Sequence, residues 1–270
     1  MKTAVITGAS DGIGAEMARQ LARQHGSHLG LVLAARDEAR LAQVATQCMA
    51  SGAPVLVVPT DVSLEPACRK LVAEAIERFG RLDILVNNAG ISAQALLQDV
   101  QAEDLAWYEQ LMRINLWGSV WCTHAALPWL KQSRGSIVAV SSLAGLVGVP
   151  GRTAYSASKF AMTGFFEALR AELKTAGVSV TTAYPGVVAT NIRHRGLNAA
   201  GIAAGFSGLK EDGAMSVEEC ARLIIKGMDN RQREVVMTAR GKLGRWLKLI
   251  APGRVEAMAL AALKDEVKPR

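Results

Sequence analysis

Aromatic residues are scarce, 5% of 270, although half of all residues are hydrophobic. A core of this composition is aliphatic and alanine-rich, which suits strands buried on both faces and closely packed helices. Cysteine is sparse as well. Cys48, Cys68, Cys122 and Cys220 stand far apart and form no CxxC, so neither a zinc site nor a disulfide framework is expected, and a reducing, cytoplasmic compartment is. No apolar run reaches the length of a membrane span. Lys2 leads directly into Thr3-Ala4-Val5-Ile6-Thr7, without the apolar region and cleavage site of a secretory signal. Internal repeats, low-complexity blocks and linkers are also missing, so the 270 residues are expected to form one domain.

Positive charge is unevenly spread. Residues 231–270 hold ten Lys/Arg against four Asp/Glu, a surplus of +6 that leaves +1 of the net +7 for the rest of the chain. The basicity therefore belongs to the tail. Nucleic-acid binding would need a basic face interleaved with stacking aromatics or a recognisable module, and neither is present.

Short β-branched or aliphatic runs alternate with longer helical periods, the pattern of successive βα units. Strands are expected at 2–7, 29–35, 54–59, 82–87, 135–140, 178–184 and 233–236, and helices near 12–25, 37–51, 64–79, 101–131, 152–176 and 216–229. The predicted fold is α/β: a Rossmann-type, doubly wound parallel sheet of about seven strands with helices on both faces. Ligands of such a sheet bind at the carboxyl ends of its strands. Residues 190–214, irregular and rich in Gly and Ala, are expected to form a mobile lid beside the site. Residues 237–270 are expected to form a basic helical extension.

Between the first strand and first helix stands Thr7-Gly8-Ala9-Ser10-Asp11-Gly12-Ile13-Gly14. Its GxxxGxG spacing is a variant of the dinucleotide-binding loop. The glycines allow a tight turn and close approach of backbone to pyrophosphate, and the helix N-terminus offers N–H donors. Gly8, Ser10, Asp11, Gly12, Ile13 and Gly14 are thus candidate cofactor residues. The second strand ends Ala34-Ala35-Arg36, where an NAD site would place an acid on the ribose 2′-hydroxyl. A guanidinium there suits a 2′-phosphate, so NADP(H) is favoured over NAD(H). Asp37 partly offsets that charge, and Asp11 brings a negative charge to the loop itself.

Tyr155 precedes Lys159 by four residues, which stacks the two side chains on one helical face. A nearby cation favours the phenolate form and makes a tyrosine a usable acid or base. With three tyrosines and eleven lysines in the chain, chance supplies such a pair in about one chain in ten, so neighbouring signals must carry the assignment.

Those signals are present. Thr7 to Gly14, Asp61, Asn87-Asn88-Ala89-Gly90, Asn115, Ser142, Tyr155, Lys159 and Pro185-Gly186 with Thr190 follow an order and separation that resembles the short-chain dehydrogenase/reductase family, in its single-domain branch, over residues 1–190. The resemblance implies that Asp61 meets the adenine, with Val62 beside it. Asn88, Ala89 and Gly90 would line the cofactor pocket, as would Pro185, Gly186 and Val188. Thr190 would contact the nicotinamide carboxamide or a phosphate. Plainer readings stand beside these: a helix-entry cap for Asp61 and for Thr190, and a strand-end turn for the Asn-Asn-Ala-Gly run. Ser142, thirteen residues before Tyr155, is the expected catalytic serine; strand alternation puts its neighbour Ser141 on the opposite side. Asn115, polar amid apolar residues, is either a structural asparagine or the residue that kinks its helix and completes a proton relay to the lysine.

The implied reaction is hydride transfer between a nicotinamide and a carbonyl or alcohol, with Ser142, Tyr155, Lys159 and Asn115 as catalytic residues. No metal is required, because serine and tyrosine donors stabilise the developing alkoxide. The substrate would be read by the loop after residue 90, by residues 143–152 and by 190–214. Leu143, Leu146, Val147, Val149, Ile192, Leu197, Ile202 and Phe206 in the last two segments favour an apolar ketone.

The sequence around Tyr155 resembles the subgroup of 11β-hydroxysteroid dehydrogenase and dehydrogenase/reductase member 7 proteins. These carry an N-terminal membrane anchor that is not expected here, so steroid activity is not carried over. A β-ketoacyl-carrier-protein reductase is the nearest rival among enzymes. A non-catalytic NADP-sensing regulator or scaffold is the rival of another class. Similar proteins form homodimers or homotetramers through the long helices near 101–131 and 152–176. Residues 240–252 mix basic and apolar side chains, compatible with packing over the cleft, a partner subunit or peripheral membrane contact.

Overall fold

A computed structural model describes residues 1–263. Seven strands form one sheet: β1 (Lys2–Thr7), β2 (Leu29–Ala35), β3 (Val55–Pro59), β4 (Ile84–Asn87), β5 (Ser136–Val140), β6 (Ser179–Tyr184) and β7 (Glu234–Val236). Their order is β3-β2-β1-β4-β5-β6-β7, every neighbouring pair parallel. The winding reverses between β1 and β4, which opens a crevice at the carboxyl ends of those strands.

Side chains alternate across the sheet, so successive residues of one strand serve two cores. Ala4 and Ile6 of β1 and Leu31 and Leu33 of β2 join the layer that holds α1 (Gly12–His25), α2 (Glu38–Met49) and α7 (Val217–Asp229). Val5, Val32 and Ala34 face α3 (Glu65–Phe79), α5 (Gly118–Ser133) and α6 (Thr153–Glu172). Burial on both faces explains why the strands read as continuous apolar runs rather than alternating ones.

Local chemistry sets the helix ends. Asp11 and Asp37 accept backbone N–H bonds at the starts of α1 and α2, and Ser216 accepts from Glu219 N at 3.1 Å to open α7. α3 starts with Pro66 in its first turn and stops at Gly80, which adopts φ 73°.

The expected helix over 101–131 is replaced by several pieces. Two 3₁₀ turns precede α4 (Ala106–Met112), a π-helical turn spans Arg113–Trp117, and α5 then runs to Ser133. The wide turn centres on Asn115, whose side chain bonds away from its own helix to Ile91 and Ser158. α6 stops at Glu172 rather than near 176. The tail forms α8 (Ala239–Ile250) and α9 (Pro252–Ala261), divided where Pro252 opens the second helix. The last seven residues of the expected extension, 264–270, lie outside the described residues.

Residues 190–214 contain no regular element but are tied in several places. Leu197 bridges to Ala93, Leu209 bridges to Leu263 beyond α9, and Trp107 Nε1 donates to Ala199 O at 3.2 Å. Arg193 fastens the segment to itself, through Glu211 at 2.7 Å and Ser207 at 3.2 Å, and to the preceding chain at Val188 O, 2.9 Å away.

Candidate active site

A cavity of about 890 Å³ opens at the carboxyl ends of the strands. Every cofactor residue expected from sequence lines it except Gly14. Gly14 lies beneath the loop: a Cβ there would stand 2.4 Å from both Asn88 Nδ2 and Gly8 O. The end of β4 holds the loop from below. Asn88 Nδ2 donates to Thr7 O (2.9 Å) and Gly8 O (3.2 Å), while Thr7 Oγ1 accepts from the amides of Asn88 and Ala89, both at 3.0 Å. Gly8, at φ 66°, turns the chain into α1. The N–H groups of Ile13 and Gly14 in the first helical turn have no intrahelical acceptor. A backbone cradle with free donors and no side chain at Gly8 and Gly12 fits a pyrophosphate.

Asp11 accepts from Gly12 N at 2.7 Å and pairs with Arg195 at 2.7 Å and Arg40 at 3.8 Å. Burial pushes its carboxyl up, but the Gly12 N–H and Arg195 together hold it below the ordinary value. The loop's negative charge is thus offset by two arginines. Arg36 is exposed at the mouth of the cavity. Asp37 is committed to the start of α2, through Arg40 N at 3.0 Å, and to the Arg40 guanidinium at 3.1 Å. Arg36 therefore has no carboxylate partner among the described residues. Asp61 lines the cavity and accepts from Ser63 N at 2.9 Å, which shapes a turn; the cap of α3 is Leu64, so Asp61 is not a helix cap.

Tyr155 and Lys159 both lie buried on α6 and line the cavity. Lys159 Nζ donates to Val140 O at 3.0 Å, contacts Met162 Sδ at 3.4 Å and stands 5.8 Å from the centre of the Tyr155 ring. Burial pushes the ammonium below its ordinary value, the neighbouring Tyr155 resists this and Arg152 adds to it. The two serines separate as strand alternation requires. Ser141 is buried and donates to Lys159 O at 3.2 Å, whereas half-buried Ser142 turns its Oγ to Ala144 N at 3.2 Å on the cavity wall.

Asn115 does not line the cavity. Its side chain pairs with both backbone groups of Ile91, at 2.8 and 3.0 Å, and donates to Ser158 Oγ at 2.9 Å; Ser158 in turn donates to Tyr155 O at 2.8 Å. Only Gly90 separates it from the lysine: a Cβ on that glycine would sit 3.0 Å from Asn115 Oδ1 and 3.6 Å from Lys159 Nζ. Asn115 therefore braces the Gly90–Ile91 turn and the first turns of α6.

Of the expected substrate-reading residues, Leu143, Val149 and Ile192 line the cavity. Leu146, Val147, Leu197, Ile202 and Phe206 do not; Leu197 packs near Trp107, and Ile202 and Phe206 are exposed to solvent. Sequence reasoning also missed several residues. Arg152, Arg193 and Arg195 face the cavity, as do Ala259 and Ala262 from the tail. Only the number of arginines within and beside the irregular stretches hinted at the first three; the tail residues carry no local signal. Among the described residues no cluster of His, Cys, Asp or Glu is placed to hold a metal, and no helix is long and apolar enough to cross a membrane.

The short chain dehydrogenase family model matches residues 2–200. The chain is 39% identical over 257 residues to 11-beta-hydroxysteroid dehydrogenase-like 4A of Arabidopsis thaliana, covering 93% of this chain and 81% of that protein. It is 33% identical over 274 residues to a dehydrogenase/reductase SDR family protein 7-like of Dictyostelium discoideum, covering 99% and 83%. Among solved structures, a short chain dehydrogenase/reductase from Burkholderia phymatum in complex with NAD superposes with a TM-score of 0.80 at 28% identity, covering 94% of each chain. An alcohol dehydrogenase from Thermococcus sibiricus complexed with 5-hydroxy-NADP superposes at 0.74 and 27% identity, covering 87% of this chain and 94% of that one.

Proposed function

The chain belongs to the short-chain dehydrogenase family, and from that premise we propose that it is an NADP(H)-dependent oxidoreductase interconverting a carbonyl and an alcohol. The observation that carries this reading is the convergence of Ser142, Tyr155 and Lys159 on the cavity that the glycine loop also borders. A non-catalytic sensor of the cofactor has no use for that convergence.

When bound, the nicotinamide supplies or accepts the hydride. Ser142 Oγ donates a hydrogen bond to the substrate oxygen, and Tyr155 gives that oxygen its proton in the reductive direction. Lys159, held by Val140 O, keeps a positive charge beside the phenol and would hold the nicotinamide ribose. Asn115 acts as a positioning residue, fixing the Gly90–Ile91 turn beside Lys159. Two hydroxyl donors aimed at one oxygen stabilise the developing alkoxide without a metal.

Solved relatives carry both NAD and an NADP derivative, so the preference for NADP(H) rests on this chain's own residues. Arg36 lacks a carboxylate partner among the described residues, Arg40 stands one helical turn on, and Ala35 occupies the strand end where an acid would exclude a 2′-phosphate. Leu143, Val149 and Ile192 on the wall support a largely apolar substrate body. Exposed Trp117, in the π-helical turn that leads into α5, and Phe160 on α6 support a homodimer or homotetramer through this pair of helices. On α8, Leu243, Trp246 and Ile250 share an exposed face opposite buried Gly241 and Gly244, which supports contact with a partner subunit or a membrane surface.

The test is coenzyme oxidation against a panel of ketones, aldehydes and acyl thioesters, with NADPH and NADH side by side. Turnover with NADPH in preference to NADH is expected. Preference for NADH removes the Arg36 argument, and no turnover with any carbonyl returns the sensor reading.

A further inference from the structure

Among the described residues, Arg152 is a buried charge with little to compensate it. It precedes α6, is 7% exposed and lines the cavity beside Tyr155. Its guanidinium carbon lies 4.2 Å from the centre of the Tyr155 ring, closer than Lys159 Nζ. Nε donates to Ala93 O at 3.3 Å and Nη2 donates to Ser92 Oγ. Among the described residues, Nη1 has no acceptor and no carboxylate pairs with this arginine. Its charged neighbours aggravate matters, since Lys159 and Arg193 are cations and Arg193 already spends its charge on Glu211.

A buried cation without a counter-ion is costly, and folding alone offsets that cost only through the bonds to Ser92 and Ala93 and the contact with the Tyr155 ring face. A loop clamp needs only donors there, which a neutral glutamine or asparagine supplies. A guanidinium with one face of its fork open to the cavity suits a carboxylate, which accepts two parallel N–H bonds and supplies the missing charge. We propose that Arg152 is a substrate-binding residue and that the natural substrate bears a carboxylate near its reacting carbonyl, on an otherwise apolar body. The proposal rests on the carbonyl–alcohol reading of the same cavity. It assigns position as well as class: the carboxylate lies at the Nη1 that the bonds to Ser92 and Ala93 leave free, beside the Tyr155 ring.

The experiment compares a homologous series of oxo acids with their methyl esters, using NADPH, the native protein and the variants Arg152→Gln and Arg152→Lys. Calorimetric binding of the matching saturated carboxylic acids and their amides to the NADPH complex is measured alongside. At the best chain length, kcat/KM for the acid is expected to exceed that for the ester by ~100-fold. Arg152→Gln abolishes that ratio, and Arg152→Lys retains part of it. A clamp without a ligand role would lower acid and ester together and leave the ratio unchanged, which overturns the proposal. So does a native enzyme with no preference for the acid at any length. If esters turn over while acids neither react nor bind, the carboxylate site alone has failed. If carboxylates bind through Arg152 while no carbonyl is reduced, the site stands and the hydride-transfer reading has failed.

Discussion

Arg195 reaches from the irregular segment 190–214 to Asp11 in the glycine loop, with Nη2 2.7 Å from Oδ2. The contact joins residues 184 positions apart and answers a difficulty in the loop's chemistry, because an uncompensated carboxylate beside a pyrophosphate site repels the ligand. Both side chains are roughly half exposed, so the pair is worth only about 0.2–1 kcal/mol. Arg195→Ala is expected to raise the NADPH Kd about two- to fivefold, with the difference shrinking as salt rises. Fluorescence titration at low and high ionic strength measures it. A loss beyond about 100-fold would mean that Arg195 contacts the cofactor directly.

Gly14 has the least space of the three loop glycines. Its missing Cβ would fall 2.4 Å from Asn88 Nδ2 and from Gly8 O, and Gly8 O is backbone that cannot yield without opening the turn. Gly14→Ala is expected to destabilise the protein by about 1–3 kcal/mol and to weaken NADPH binding at least about tenfold. Thermal unfolding with and without NADPH reads both. Unchanged unfolding and affinity would place the loop elsewhere.

Lys159 links activity to stability with a definite sign. Burial holds its folded-state value below the 10.5 of an ordinary lysine, so the unfolded chain binds more protons between those two values. The folded state carries the full penalty below the depressed value and loses it as pH rises to 10.5. Lys159→Met is therefore expected to lower kcat by about 100-fold or more while unfolding at a higher temperature than its parent near neutral pH. That margin narrows as pH climbs. A margin that widens with pH contradicts the burial argument.

The sheet was legible because its strands are buried on both faces: each appears as an aliphatic run such as Leu31-Val32-Leu33, and all seven strands and five of the six expected helices start within one or two residues of where periodicity puts them. Periodicity did not give the break around Asn115, which only the family resemblance offered as a kink, because a π-helical turn depends on side-chain bonds to Ile91 and Ser158, remote in sequence. Apolar pattern alone reads that stretch as one continuous helix. Ile202 and Phe206 misled for a related reason, since an irregular segment has no period that tells an inward side chain from an outward one. Arg152 escaped notice because a lone arginine in a loop is ordinarily solvated; only the packing of Ser92, Ala93 and Tyr155 around it shows otherwise. Asp61 illustrates the reverse. Its sequence position allowed a helix cap, and the structure gives that place to Leu64.

The most direct test of the account is Tyr155→Phe, which removes one oxygen and leaves the ring beneath Arg152 in place. NADPH affinity is expected to stay within about threefold of the parent while kcat for carbonyl reduction falls by about 100- to 10,000-fold. Turnover near that of the native enzyme, with NADPH still bound, would contradict the assignment of Tyr155 as the proton donor.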